Sequence, residues 1–553
     1  MRDFSRADED AEERAGVCVI GAGAAGQTVA RRLAERGADV LLVESGGRDF
    51  DAATQDLADG DLAEGSESYY PVRDARLRLY GGTTAIWGGR CAPLDPIDFE
   101  RRAWVAHSGW PISADDLTPY TDEAFAALGL PPHEGLRTLG LDPAFDPAKL
   151  DQPLWAFDDE AERFTSTAKD LEDAGVRIVL GATLTRIEAG EGGAVVACVF
   201  RNLGQRSLTV RARRFVLAAG GIENARLLLA CAPGRPEGLG NARGLVGRYF
   251  MEHPHARIGE VVPRGEDAEG AAAALRLFPK HAFRRGTRYA CALRPSEAVQ
   301  AERGLLNTAA SLALRPREGG QLPAHQRMIA GLKHGLPAKR RYRRAYHAAK
   351  QASLRVSARR YPGPVARRYE RRRDTHGLFL VARAEQAPNP DSRVTLSDER
   401  DALGVRCVRL DWRLSEIDKR SARGLVTLLD EELTRLGVGA ALPSAWLDDP
   451  ATLWRPDPLV SAHAIGGYHH MGTTRMAATA SEGVVDADGR LFEAPNLYVA
   501  GSSVFPTAGW ANPTVTILAL ALRLGDHLAG QLRQSRYQSA KRDSPSASPT
   551  LGA

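Results

Sequence analysis

Two polar residues late in the chain and a glycine loop near its start are the groups that could do chemistry here. His469, in His469-His470-Met471-Gly472, carries an imidazole whose ordinary pKa of about 6.5 leaves a neutral proton acceptor near neutral pH. Asn512, in Ala511-Asn512-Pro513-Thr514, can hold a substrate oxygen by hydrogen bonding. The loop Gly21-Ala22-Gly23-Ala24-Ala25-Gly26 offers a seat for a pyrophosphate. Together they suit a site where a cofactor meets a reacting alcohol. Singly, each has a plainer reading. A histidine in a glycine-rich loop is usually polar surface, an Asn-Pro is usually a helix cap, and a lone GxGxxG can be a turn that binds nothing.

The elements around the loop favour the nucleotide reading. An apolar strand at 17–20 ends at Gly21, a helix-forming stretch runs over 24–36 with Gly37 to cap it, and a second apolar strand at 40–43 ends at Glu44. In such a βαβ unit Gly21 supplies the tight turn, Gly23 the close backbone approach to phosphate, and Gly26 the close packing of helix on strand. Glu44 stands where a carboxylate accepts hydrogen bonds from a ribose diol, and a basic residue there would have favoured NADP. The unit does not distinguish FAD from NAD, so an NAD-dependent dehydrogenase stays open at this point.

Further strands are expected at 176–180, 195–200 and 215–218, with Gly220-Gly221 leading into a helix at 223–230. From about 251 to 460, strand-like stretches at 377–383, 392–396 and 405–412 alternate with polar connections, which fits a second, mixed or antiparallel sheet. A buried strand at 496–501 and an apolar helix at 513–528, with Pro513 at its first position, return the chain to its first domain. The expected class is α/β with α+β elements: a Rossmann-like domain (1–250 and 461–533) interleaved with a substrate domain (251–460). A Ser/Pro/Ala-rich tail, 534–553, reads as disordered.

At 553 residues the chain exceeds the size at which one core keeps growing, and with 43% hydrophobic and 26% charged residues it reads as globular. No run approaches the roughly 20 apolar residues of a membrane span. The first residues, MRDFSRADEDAEERA, lack the apolar core of a secretory signal, so the cytoplasm is the expected compartment. Six scattered cysteines (Cys18, Cys91, Cys198, Cys231, Cys291, Cys407) have no metal or redox spacing and read as buried thiols, with no disulfide, cluster or zinc assigned. Lys333 to Arg373 holds fifteen Lys or Arg against the single acid Glu370. It reads either as a lid or interface over the substrate cleft, which is favoured, or as a basic helix touching anionic lipid at the membrane periphery. A nucleic-acid partner has no supporting pattern.

GAGAAG with VESGG, YGGTTAIWGG at 80–89, FVLAAGGIENARLLL at 215–229, and the His469 and Asn512 motifs, in this order, resemble the glucose-methanol-choline (GMC) oxidoreductases. EQAPNPDSRVTL and the HxMG form are similar to bacterial members and to pyranose 2-oxidases. The resemblance implies FAD, an alcohol substrate such as a sugar, glycoside or polyol, and an electron acceptor such as oxygen or a quinone. It implies His469 as base and Asn512 as its oxygen-holding partner, with His470 structural. Gly81, Gly82, Thr83, Thr84 and Trp87 would lie along flavin and pyrophosphate, the backbone near Leu184 would face adenine, and Ala24, Ala219, Gly501, Ser502, Pro513 and Thr514 would complete the cofactor site. Pyranose 2-oxidases bond flavin covalently to a histidine in the loop matching 83–87. That loop here, Thr83-Thr84-Ala85-Ile86-Trp87, has none, so noncovalent FAD is expected. For Thr473, Thr474 and Arg475 cofactor contact and loop structure weigh equally, and for His253 and His255 core packing is the expectation. The remaining alternative to catalysis is a membrane-recruited nucleotide-binding protein.

Overall fold

The apolar run that ends at Gly21 closes a longer strand, Ala11–Ile20, whose last four side chains alternate between two separate cores. Cys18 and Ile20 face one, Val17 and Val19 the other, so this end of the strand is buried on both faces, as a parallel strand between layers must be. The computed structural model describes residues 1–132, 145–160, 162–265, 267–278, 282–284, 286–317, 339–358, 360–456 and 468–543. The main sheet has the order Arg2–Asp3, Arg177–Leu180, Val40–Val43, Ala11–Ile20, Ser207–Leu217, Val195–Arg201, Thr183–Ala189. Its first five strands are parallel and the last two antiparallel.

The chain does return to this sheet. Leu497–Val499 adds in parallel beside the C-terminal end of Ser207–Leu217. The closing helix Thr514–Asp543 then lies against the first helix, Ala24–Glu35, pinned by Arg32–Asp526 at 2.7 Å and by buried Leu524 and Leu528. Fully burying Leu528 stabilises by about 1.5–3 kcal/mol. Two expectations need correction. Thr514, not Pro513, is the first helical residue, and the Pro513 carbonyl accepts the first-turn bond from Ile517 N–H. The disordered tail expected from 534 is helical to Asp543, because no proline or glycine interrupts the chain before Pro545; 544–553 lie outside the described residues.

The second sheet, in the order Ala309–Pro316, His376–Arg383, His255–Pro263, Gly439–Pro443, is wholly antiparallel. Helix Glu416–Arg435, begun by a Ser415/Asp418 capping box, buries Leu425, Val426, Leu428 and Leu429. The strands expected at 392–396 and 405–412 do not join this sheet. Arg393–Arg400 and Arg406–Asp411 pair with each other, and the second pairs in parallel with Gly60–Leu62. A buried cation explains the placement: Arg226, on helix Glu223–Ala230, donates to Asp401 at 2.6 Å and to the Arg406 carbonyl at 2.8 Å. Conversely, Arg90–Cys91 and Leu154–Phe157, from the first segment, form a sheet with Thr287–Cys291. The two regions are thus more finely interleaved than boundaries at 250 and 460 imply.

Candidate active site

One cavity of about 1400 Å³ collects the groups singled out in the sequence. It is lined by Gly21, Gly23, Ala24, Glu44, Gly81, Gly82, Thr83, Thr84, Trp87, Leu184, Ala219, Gly501, Ser502, Pro513 and Thr514, and also by His469 and Asn512. That volume exceeds the usual range of about 300–1,000 Å³ for a single small ligand, leaving room for a dinucleotide and a substrate. Gly26 is absent from the lining. Its task is packing, since a Cβ there would sit 1.9 Å from the Gly21 carbonyl oxygen.

The glycine loop fits a pyrophosphate by its shape. Gly21 has φ of +105° and no room for a side chain, whereas a Cβ on Gly23 would meet nothing within 4 Å and would project into open space. Gly82 comes up against the Gly23 Cα, so the second glycine loop walls the same space. Arg76 and Arg78, just before it, bind the buried Glu223 carboxylate at 3.2 and 2.5 Å, and Glu223 opens the helix of the third motif. Three cations, Arg78, Arg226 and Arg76, hold that carboxyl well below the usual range against its burial. Glu44 is buried, which raises its pKa, and its two oxygens accept from Ala22 N–H at 2.8 Å and Gly46 N–H at 2.9 Å. It therefore fastens the glycine loop to the next strand as well as facing the cavity. The Thr83 hydroxyl accepts from Leu77 N–H, the Thr84 hydroxyl donates to the Gly81 carbonyl, and the Ser502 hydroxyl donates to the His470 carbonyl.

At the reacting end the hydrogen bonds fix the protons. His253 Nε2 lies 2.8 Å from the Gly509 carbonyl and 3.3 Å from that of Ala508, and carbonyls only accept, so Nε2 carries a proton. Burial pushes the His253 pKa down to about 4, so the ring is neutral and its Nδ1 is an acceptor. His469 Nδ1, at 2.8 Å, must donate to it. His469 Nε2 is then left with a lone pair, to which the Asn512 Nδ2 amide donates at 3.0 Å. Burial first, then His253 and Arg383, hold the His469 pKa well below its ordinary value, so the ring is neutral across the physiological range. Glu252 receives the backbone N–H of His469, and burial raises its own pKa to about 8.

The core-packing expectation for His253 is therefore incomplete: it is buried, and it also orients His469. The Met251-Glu252-His253-Pro254-His255-Ala256 segment showed histidines, but nothing in the spacing showed that one would meet a ring 216 residues away. His470, its pKa lowered to about 3 by burial, binds the Tyr69 hydroxyl at 2.9 Å. Thr473, Thr474 and Arg475 serve the loop: Thr473 donates to the Gly221 carbonyl, Thr474 N–H to that of Ser503, and Arg475 to that of His107. The basic segment contributes helix Arg340–Ala358 at the cavity rim, where Arg340 binds Glu162 at 2.6 and 2.9 Å and Gln351 binds Asp159 at 2.8 Å. Residues 333–338 and 359 of that segment lie outside the described residues.

Comparison with known proteins agrees with this layout. Residues 16–237 match the family described as FAD dependent oxidoreductase, and 388–521 match GMC oxidoreductase. Paromamine 6'-oxidase of Streptomyces fradiae is 27% identical over 93% of this chain and 91% of its own length. 2-Methyl-1,2-propanediol dehydrogenase of Mycolicibacterium austroafricanum is 26% identical over 93% and 95%. A solved formate oxidase structure aligns with a TM-score of 0.54 at 15% identity, covering 96% of this chain and all of that one, a likeness of fold.

Proposed function

We propose that this chain, a member of the FAD-dependent GMC oxidoreductases, oxidises the CH–OH group of a sugar, glycoside or polyol, with His469 as base and Asn512 as oxygen holder. The observation that carries the reading is the His469 Nε2 lone pair, 3.0 Å from Asn512 Nδ2, in a cavity that the glycine loop also lines. When bound, FAD supplies the acceptor for the carbinol hydride. The residues handle the proton: a substrate hydroxyl replaces the bond between Asn512 Nδ2 and His469 Nε2, gives its proton to Nε2, and its oxygen accepts from the amide. His469 Nδ1 goes on donating to His253 throughout. The two relatives, named for an oxidase and a diol dehydrogenase, support alcohol oxidation.

We read the flavin as noncovalent, since 83–87 has no histidine and the Thr83 and Thr84 hydroxyls are already bonded to the backbone. The electron acceptor, oxygen or a quinone or another, reoxidises the flavin. We read helix Arg340–Ala358 as a lid, because its pairs with Glu162 and Asp159 lie at the cavity rim. Among the described residues no helix is long and apolar enough to cross a membrane. An NAD-dependent dehydrogenase would leave His469 and Asn512 without a task.

Purified protein should be yellow, should release flavin on acid precipitation, and should be bleached anaerobically by a member of a panel of sugars, glycosides and polyols but not by NADH. A colourless protein that cannot be reconstituted with FAD, or one bleached by NADH alone, would contradict the reading.

A further inference from the structure

We propose that the alcohol oxidised here bears an oxyanion, a carboxylate or a phosphate, held by Arg90 and Arg383 beside His469. The proposal rests on the alcohol-oxidising reading above and adds the charge class of the substrate. Both arginines line the cavity that holds His469 and Asn512. Arg383 ends strand His376–Arg383 and pairs across the sheet with His255; its Nη1 lies 3.3 Å from His255 Nε2, and its charge is felt by His469. Arg90 comes from the short strand Arg90–Cys91 and sits over the rings of Trp155 and Phe157, with its Nε sealed from solvent and without a hydrogen bond among the described residues.

Neither guanidinium has a carboxylate within ion-pair distance among the described residues, although the cavity contains several acids. Five of the six acids are engaged elsewhere: Glu44 by backbone N–H groups, Glu223 by Arg76 and Arg78, Asp158 by Arg163, Glu162 by Arg340, and the exposed Glu160 by the Glu162 N–H. Glu252, the acid whose charge Arg383 feels, is engaged by the backbone N–H of His469, and burial raises its pKa. Burial, then Arg383 and Arg288, press against the charge of Arg90, and burial presses against that of Arg383, partly offset by Glu252. An unneutralised buried cation is costly, and a guanidinium stays charged in proteins. The group that relieves two such forks is an oxyanion, which accepts planar paired hydrogen bonds. An ammonium-bearing substrate would add a third cation to this end.

The test uses flavin-loaded enzyme under anaerobic conditions near pH 7.5. Matched probes are D-glucuronate, D-glucose 6-phosphate, D-glucose and D-glucosamine, together with D-gluconate against D-glucitol. Two signals are read: the efficiency of flavin bleaching, and the apparent Kd from perturbation of the flavin spectrum. The proposal expects the anionic member of a pair to be favoured by roughly tenfold or more, the scale of one charge-assisted hydrogen bond. The amino sugar should be weakest, and the carboxylate and phosphate arms tell the two oxyanions apart. Arg383→Met and, as an independent second variant, Arg90→Met should each cut the anion-to-neutral ratio by roughly tenfold, flavin content serving as the folding control. Equal or better use of the neutral or amino member, absence of any response to the anions, or a preference that survives both substitutions would overturn it. Bleaching by neutral alcohols without charge preference would sink this proposal and leave alcohol oxidation standing. Charge-dependent binding without bleaching by any alcohol would contradict alcohol oxidation and the substrate class with it, leaving only an oxyanion site in the cavity.

Discussion

The two ends of the cavity are built on different principles. At the glycine end the constraint is backbone space: Gly21 and Gly26 leave no room for a Cβ, and Gly23 leaves a gap. At the histidine end the constraint is where protons and charges sit, set by the neighbours Glu252 and His253 and by Arg383 and Asn512, from three separate parts of the chain. One end recognises by shape and the other by protonation. Substitutions should therefore fail in different ways at the two ends.

The largest contrast lies within the glycine loop. Gly26→Val should leave little folded, flavin-containing protein, because its Cβ would lie 1.9 Å from a backbone oxygen that cannot move. Gly23→Ala should fold, since its methyl meets nothing within 4 Å, yet lose flavin affinity because the methyl enters the cofactor space. Flavin-to-protein absorbance ratios and thermal unfolding separate the cases; equal damage from both would break the argument that the gap is a ligand site. At the other end, His253→Leu should keep flavin but slow its reduction by about tenfold, the equivalent of one lost orienting hydrogen bond at ~1–1.5 kcal/mol. Stopped-flow reduction with unchanged speed would remove His253 from the proton chain.

The difference between the ends also decides what could be read in advance. Glycine spacing is local, and the strand, loop and helix around Gly21 to Gly26 were legible because backbone strain is written within a few residues. The bond between His253 and His469 was not, because it depends on two chain segments meeting. The hairpin Arg393–Asp411 was misplaced for a similar reason: alternation marks a strand's buried face but not its partner, and here Arg226 chose it through Asp401. The closing helix overran its expected end because composition alone does not stop a helix. His469 and Asn512 were legible only as members of an ordered set of motifs.

A milder test concerns acidity. The lowered His469 pKa keeps its base form down to pH values below the ordinary 6.5, so the rate of flavin reduction should stay level as pH falls through 6.5 and drop only below it. A half-fall near 6.5 would mean the ring is not shielded as described. The smallest effect is expected at the rim. Arg340→Ala breaks an exposed pair with Glu162, a loss of roughly 0–1 kcal/mol, so its effect should be no more than a few-fold and confined to KM. A large fall in kcat would make the helix part of the reacting end.

The most direct measurement is anaerobic reduction of His469→Ala, followed by stopped-flow absorbance with flavin content determined in the same preparation. The variant should stay yellow, bind FAD as the parent does, and be reduced by its alcohol about 10²–10⁴ times more slowly. Near-parental bleaching by the same alcohol would contradict it, because the proton would then be leaving to some other base.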